Sequence, residues 1–198
     1  EVNRSLTWLY VALGLSVIPA WPFMVTYAAD VYWPTGSLGA IGGALAVGNL
    51  GASALWRPTD HGLQTRARVG GVVSLLCAAA LIGLDPAASG LAHGVAMLVV
   101  IAVAAGAGSV VRMSLLEQAH RRSSSASTVA VLTRFDVVAS TSMQLGFLAG
   151  GYLIDLSTTS TWLADPFQLS LLIGSALLVV ALERITVESP AAPEVVGP

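Results

Sequence analysis

Two ionisable side chains two positions apart, Arg134 and Asp136, stand inside a long apolar run of the chain. An ionisable group within a bilayer is costly and usually faces a cavity or an oppositely charged partner. Residues two apart on a helix point to nearly opposite sides, so these two cannot simply neutralise each other. We expect Arg134 either to reach the membrane surface or to pair inside. Asp136 is expected either to latch onto an arginine of another helix or to gain and lose a proton, a role for which Glu117 is the other candidate.

Three neutral polar side chains also lie within apolar runs, namely Asn49, Ser140 and Gln144. They could form hydrogen bonds with a small molecule in a central cavity. They could equally join one helix to another, where each contact contributes ~0.6 kcal/mol on average. The sequence leaves both interpretations open.

Six apolar runs of about 20 residues on average are each predicted to cross a bilayer core of ~30 Å as a helix, although the third and the sixth are short. We predict an all-α membrane protein with six transmembrane helices in one bundle over residues 1–186. The predicted spans are about 6–29, 38–56, 69–84, 91–111, 126–154 and 167–182. Residues 187–198 are rich in proline and polar groups and are predicted to form a disordered cytoplasmic tail.

The basic residues predict the orientation of these spans. All nine are arginines, and Arg134 lies just inside the fifth run. The others lie before the first run, after the sixth or in alternate connections: Arg4, Arg57, Arg66, Arg68, Arg112, Arg121, Arg122 and Arg184. The intervening connections hold aspartates and no arginine. Because loop arginines are retained on the cytoplasmic side during insertion, both termini are predicted to be cytoplasmic in a multi-pass protein of the cell membrane.

The overall composition points to the same class of protein. The chain is 55% hydrophobic and 10% charged, with a mean hydropathy of +0.78, whereas soluble domains are about 25% charged. The lipid bilayer is therefore the first expected partner. A net charge of −2 without a basic patch excludes nucleic-acid binding. The arginine-only, alanine-rich usage indicates a high-GC bacterium and its inner membrane.

No catalytic or metal site is predicted. His61, His93 and His120 fall on different sides of the membrane and lack the cysteine or carboxylate spacing of a zinc site. Ser109 follows Gly108 without the next glycine of a serine nucleophile turn. The glycine-rich second run follows no strand, so it is not a dinucleotide loop. We predict neither an enzyme nor a cofactor.

Glycines mark the expected helix contacts. Small residues four apart let a second helix backbone approach closely. The candidates are Gly39, Gly43 and Gly48 in the second run and Gly146, Gly150 and Gly151 in the fifth. Polar or kinked runs precede plain ones in two sets of three, which predicts two inverted three-helix repeats.

Two segments resemble the major facilitator superfamily. Residues 145–155 (LGFLAGGYLID) are similar to its eleventh helix, and residues 57–68 (RPTDHGLQTRAR) to its cytoplasmic Asp-Arg-Gly-Arg loop. In that loop His61 stands where an arginine is usual. The whole chain resembles the C-terminal six-helix half of such a transporter.

The resemblance implies roles for particular residues. It implies gating by a loop that contains Asp60, Gly62, Arg66 and Arg68. It also implies a cavity wall from the first span, near a proline kink, formed by Trp21, Phe23, Met24 and Tyr27. The alternatives for these four are lipid contact or, for Tyr27, an interfacial aromatic belt. A second six-helix half is the implied partner, on the same polypeptide or another chain.

These observations predict half of a secondary transporter that moves a small, lipophilic molecule by alternating access. The sparse charge of the expected lining argues against sugars and phosphates. Proton-coupled efflux by an antiporter is the mechanism expected. The alternative is a polytopic membrane scaffold or anchoring module that does not transport.

Overall fold

The computed structural model describes residues 11–12, 37–55, 62–84, 91–122 and 166–187, together with separate positions between 129 and 152. Four continuous helices lie in these ranges: α1 (Ser37–Leu55), α2 (Leu63–Gly83), α3 (Leu91–Arg122) and α4 (Pro166–Val187). The described positions between 129 and 152 are helical as well. The part of the chain that is described is therefore all-helical.

A glycine in the left-handed conformation begins α2. Gly62 has φ 89°, a conformation that glycine adopts without the steric penalty of a Cβ. Its carbonyl accepts a hydrogen bond from the Arg66 amide at 2.9 Å, and at the other end the Leu84 amide donates to Ala80 at 3.0 Å. The helix therefore starts at Leu63, so the first turns of α2 include both Arg66 and Arg68.

The four helices pack in the order α1, α3, α2, α4. Leu98 of α3 packs beside Ile41 of α1. Further along both helices, Ala102 of α3 lies against Gly48 of α1, so α1 and α3 are parallel. The short connection of α2 to α3 makes that pair antiparallel.

A second set of contacts gives the direction of α4. Arg68 meets Glu183, while Gly71, one turn further along α2, faces Val179 and Leu182. The partner residues on α4 therefore decrease in number as those on α2 increase. The two helices are antiparallel.

These directions bring the charges together at one end of the bundle. That end holds the C-terminal halves of α1, α3 and α4 and the N-terminus of α2. Its described basic side chains are Arg66, Arg68, Arg112 and Arg184. The opposite halves of the four helices contain no Asp, Glu, Lys or Arg. The bundle is thus polar at one end and apolar over the rest of its length.

The described helices bury one apolar cluster at the charged end and a second one around Ile41 toward the opposite end. The first is the larger of these two. It includes Val111 and Leu115 of α3 together with Leu178 and Ile185 of α4. Outside it, large apolar side chains are exposed on every helix, including Leu50 at 69% and Leu91 at 87%. Helices that are apolar on all sides are characteristic of a membrane interior or the core of a larger assembly.

The prediction of six transmembrane helices is wrong for the structure that is described. Among the described residues, one helical stretch, Leu91–Gln118, is long and apolar enough to cross a bilayer. At 19 residues, α1 reaches only ~28 Å. Two arginines lie in α2, and Glu183 and Arg184 lie near the C-terminal end of α4.

The helix arrangement that was predicted from six spans is therefore wrong as well. The half-bundle of two inverted three-helix repeats is not what the structure shows. The physical reason is that helix boundaries do not follow hydropathy. The helix α3 continues through the expected polar connection to Arg122, which makes it 32 residues long. The first predicted span, apart from residues 11–12, and the predicted tail from 188 lie outside the described residues.

Two of the described helices approach each other closely at Gly48 of α1. A Cβ there would overlap the carbonyl oxygen of Ala102, and Gly106 faces Gly48 across the same contact. The backbones therefore touch without intervening side chains, as small residues permit. By contrast, a Cβ at Gly39 or Gly43 would meet nothing within 4 Å among the described residues.

We predict that Gly48→Ala destabilises the protein by about 1–3 kcal/mol, because the added methyl must push α1 and α3 apart. Gly43→Ala is the matched control and should be neutral or stabilising, by up to ~1 kcal/mol, because alanine favours helix. Thermal unfolding of the detergent-solubilised variants, followed by circular dichroism, measures both. Equal effects of the two substitutions would contradict the contact.

Candidate functional site

A groove of about 550 Å³ lies between α1, α2 and α3. Small-molecule sites in proteins typically enclose about 300–1,000 Å³. Apolar side chains line most of the groove, including Val47, Val69, Val73, Val103 and Val110. The groove is therefore of the right size and character for a small lipophilic molecule.

Small residues create the space. Gly51 and Ala52 line the groove from α1, and Gly106 and Ala107 line it from α3. A Cβ on Gly51 would meet none of the described atoms within 4 Å, so the described helices leave the groove open in front of this residue. The contact between Gly48 and Gly106 closes the groove on the side where α1 and α3 meet.

The two polar side chains of the lining, Thr65 and Arg66, are adjacent in the first turn of α2. Since α2 runs antiparallel to α3, they lie at the charged end of the bundle. The first turn of α2 holds no acidic residue, and Gly62 offers no side-chain cap. The surface of the groove is nevertheless almost entirely apolar, so Thr65 and Arg66 border it mainly through their carbon atoms.

A polar contact joins α1 to α3 beside the groove. The Ser109 hydroxyl donates a hydrogen bond to Oδ1 of Asn49, and the Asn49 carbonyl accepts one from the Ser53 hydroxyl at 2.9 Å. Asn49 was a candidate for binding a small molecule or for joining helices. In this structure its side chain makes a helix-to-helix hydrogen bond.

An ion pair joins α2 to α4 at the charged end. Nη2 of Arg68 lies 2.9 Å from a carboxylate oxygen of Glu183, with the two side chains 44% and 55% exposed. An exposed pair of this kind contributes about 0–1 kcal/mol in water. Arg66 and Arg68, predicted to act in one gating loop, therefore belong to different surfaces of α2.

The other candidates lie outside the groove lining or outside the described residues. Arg134, Asp136, Ser140 and Gln144 occupy exposed helical positions, and Glu117 is half-buried on α3. The candidates outside the described residues are Trp21, Phe23, Met24, Tyr27, Asp60, Gly146, Gly150 and Gly151. The structure thus brings only Gly48 and Arg66 of the predicted residues together in one site.

Sequence reasoning missed the valines of the groove, and above all Val69, Val103 and Val110. The sequence did contain one indication of this contact. Like the second run, α3 has small residues four positions apart, Ala102 and Gly106. Two such patterns predict that helices meet, but they do not say which helices. In the described part of the chain no three His, Cys, Asp or Glu residues are grouped to hold a metal ion.

We predict a coupling free energy of ~0.6 kcal/mol between Asn49 and Ser109, the average for a hydrogen bond between helices in a membrane. The measurement is a double-mutant cycle of unfolding free energies with Asn49→Ala, Ser109→Ala and the double variant. Ser53→Ala paired with Asn49→Ala is the control, because Ser53 bonds only to the Asn49 backbone. Strictly additive effects of Asn49→Ala and Ser109→Ala would contradict the contact.

Comparison with known proteins assigns no family. No protein-family model matches the chain. No curated protein and no solved structure matches it either. The resemblance to the major facilitator superfamily therefore stays a prediction.

Proposed function

We propose that this chain works inside a lipid membrane as the ligand-binding part of a transport protein for a small lipophilic molecule. The observation that carries the proposal is the apolar groove between α1, α2 and α3, set in helices whose outer surfaces are themselves apolar.

The exposed apolar side chains support a membrane environment. The core helix of a soluble protein is mostly buried, whereas only 22% of the apolar stretch of α3 is buried by its neighbours. Exposed leucines and valines on all four helices repeat this pattern, as at Leu76 and Leu177. Lipid is the medium in which such surfaces are stable. The charged end then faces the cytoplasm, since arginines are retained on that side.

The residues that line the groove support a lipophilic ligand. Sites that select sugars or phosphates use several well-placed hydrogen-bonding groups, because each polar group of the ligand must be satisfied. Here the side chains that can donate are confined to Thr65 and Arg66 at one end. A molecule lying along Val69, Val73 and Val103 meets only hydrocarbon. The groove therefore favours a lipophilic ligand.

The movement is supported by the contact between α1 and α3. At Gly48 and Gly106 the helices touch through backbone atoms, so no side chains interlock there and a small rotation does not require repacking. One hydrogen bond, from Ser109 to Asn49, crosses the same interface. Such a contact costs little to break, at ~0.6 kcal/mol. Asp136 and Glu117 remain the candidates for coupling this motion to protons.

A scaffold that does not transport is the second candidate. The ion pair between Arg68 and Glu183 favours it, because it ties α2 to α4 outside the groove. In that case lipid fills the groove permanently. The two functions differ in whether occupancy of the groove is linked to net movement of a solute.

We predict that Gly51→Leu blocks the groove. The leucine enters open space instead of an existing contact, so the helices keep their packing. Fluorescence of the neutral lipophile N-phenylnaphthylamine measures binding in nanodiscs, and its movement measures transport in inverted vesicles under a pH gradient. We expect affinity to fall roughly tenfold, the equivalent of ~1.4 kcal/mol, and transport to fall with it.

Gly42→Leu is the matched control, since it also adds a side chain to α1 where nothing lies within 4 Å but is not part of the lining. It should bind and transport as the wild type does. Binding that Gly51→Leu leaves unchanged would refute the groove as the site. If the wild type and the variants bind the dye but none of them transports it, the protein is a scaffold.

We further predict that Asp136→Asn removes the dependence of dye movement on the pH gradient while binding in nanodiscs stays the same. The reason is that asparagine cannot gain and lose a proton, and Asp136 does not line the groove. The measurement compares initial rates with and without the gradient. Unchanged gradient dependence would assign Asp136 to a structural latch.

A further inference from the structure

A line of polar side chains is exposed on the helical positions between 129 and 152. Thr133, Ser140 and Gln144 are all exposed there, and we call these three side chains the polar stripe. A helix turns ~100° per residue, so Thr133 and Ser140 lie within ~40° of Gln144 around the axis. The stripe therefore occupies one side of the helix, and the described helices leave that side uncovered.

Arg134 and Asp136 flank the polar stripe on opposite sides. Each lies ~80° from Gln144 around the helix axis, one to either side. Both side chains are exposed, and neither makes an ion pair or a hydrogen bond with a residue that the structure describes. Since an unpaired ionisable group at membrane depth is costly, both charges need a partner from outside the described helices.

We propose that the polar stripe binds the same stripe of a second copy of this chain within the membrane. Two copies of one chain are inserted in the same orientation, so these helices are parallel and related by a two-fold axis. In such a pair each flank faces the opposite flank of the other helix. Asp136 of each copy then faces Arg134 of the other. This inference takes only the membrane environment from the proposed function.

The chemistry of the stripe is self-complementary. A glutamine amide carries both donors and an acceptor, and a serine or threonine hydroxyl can also do both. Each of these side chains can therefore form hydrogen bonds with its own counterpart across a two-fold axis. Groups of this kind hydrogen-bond between helices in membranes, whereas lipid hydrocarbon offers them no partner.

The spacing along the chain matches a parallel helix pair. Thr133, Val137, Ser140 and Gln144 follow one another at intervals of four, three and four residues, which is the repeat of the core positions in a left-handed coiled coil. The two charged residues then occupy the positions beside the core, where charges select the partner and its direction. An antiparallel pair would place aspartate against aspartate and arginine against arginine. The charges thus favour a parallel second copy.

Förster transfer between two labelled copies measures this association. Full-length protein with a donor or an acceptor on a C-terminal tag is reconstituted in phosphatidylcholine vesicles at increasing lipid dilution. We expect transfer for the wild type, and Gln144→Ala should raise the dissociation constant roughly tenfold because it removes the hydrogen bonds between the two amides. Ser142→Ala is the matched control, since Ser142 is half-buried and lies ~160° from Gln144 around the axis.

Exchanging the flanking charges tests whether the partner is a second copy. Arg134→Asp gives one chain two carboxylates on its flanks, and Asp136→Arg gives it two guanidinium groups. Each variant alone should associate at least roughly tenfold more weakly than the wild type, because like charges face each other. Mixing the two variants should restore transfer, which also shows that both are folded. Arg112→Asp, at an exposed position of α3, is the control for net charge.

The outcomes separate this inference from the proposed function. A wild type that is monomeric at every lipid dilution overturns it, and so do single charge variants that associate as the wild type does. Loss of association that mixing does not restore also overturns it, because the stripe then faces a different chain. Dye binding that Gly51→Leu blocks would still support the groove in each of these cases. The readout is association, so it does not depend on whether Asp136 couples protons.

Discussion

The backbone contact at Gly48 brings α1 and α3 together along one wall of the groove. Because glycine has no side chain, the carbonyl of Ala102 and the backbone of Gly106 can lie directly against α1. Two helices in contact at one point leave a space on the flank of that contact, and α2 borders this space from the third side. The groove is thus a geometric consequence of one close approach and of the small residues beside it.

The distribution of polarity then gives the groove its chemical character. Antiparallel packing of α2 against α3 and α4 places its first turn next to their C-terminal halves, so the arginines gather at one end. The remaining length of the bundle is apolar both outside and inside the groove. An outer surface of this kind is stable where lipid covers the apolar part.

Arg66 and Arg68 show how two neighbouring charges acquire separate roles. They are two positions apart on α2, which places them on different sides of the helix. Arg68 reaches Glu183 of α4 at 2.9 Å, whereas Arg66 lines the groove between α1 and α3. The sequence alone predicts that both arginines belong to one loop. The start of α2 at Leu63 turns that loop segment into helix and divides the pair.

Helical and apolar character depends on composition and local residue order, and so does the placement of arginines near helix ends. The sequence therefore predicted both for the described segments. It failed on the number of spans, since hydropathy did not reveal that α3 continues to Arg122 or that α2 starts before its arginines. Only the tertiary structure decided that Gly48 is a contact while Gly39 and Gly43 face open space. Likewise, only the fold brought Val69 and Val103 together with Arg66. Register and direction between helices depend on residues distant in the chain, and no local pattern encodes them.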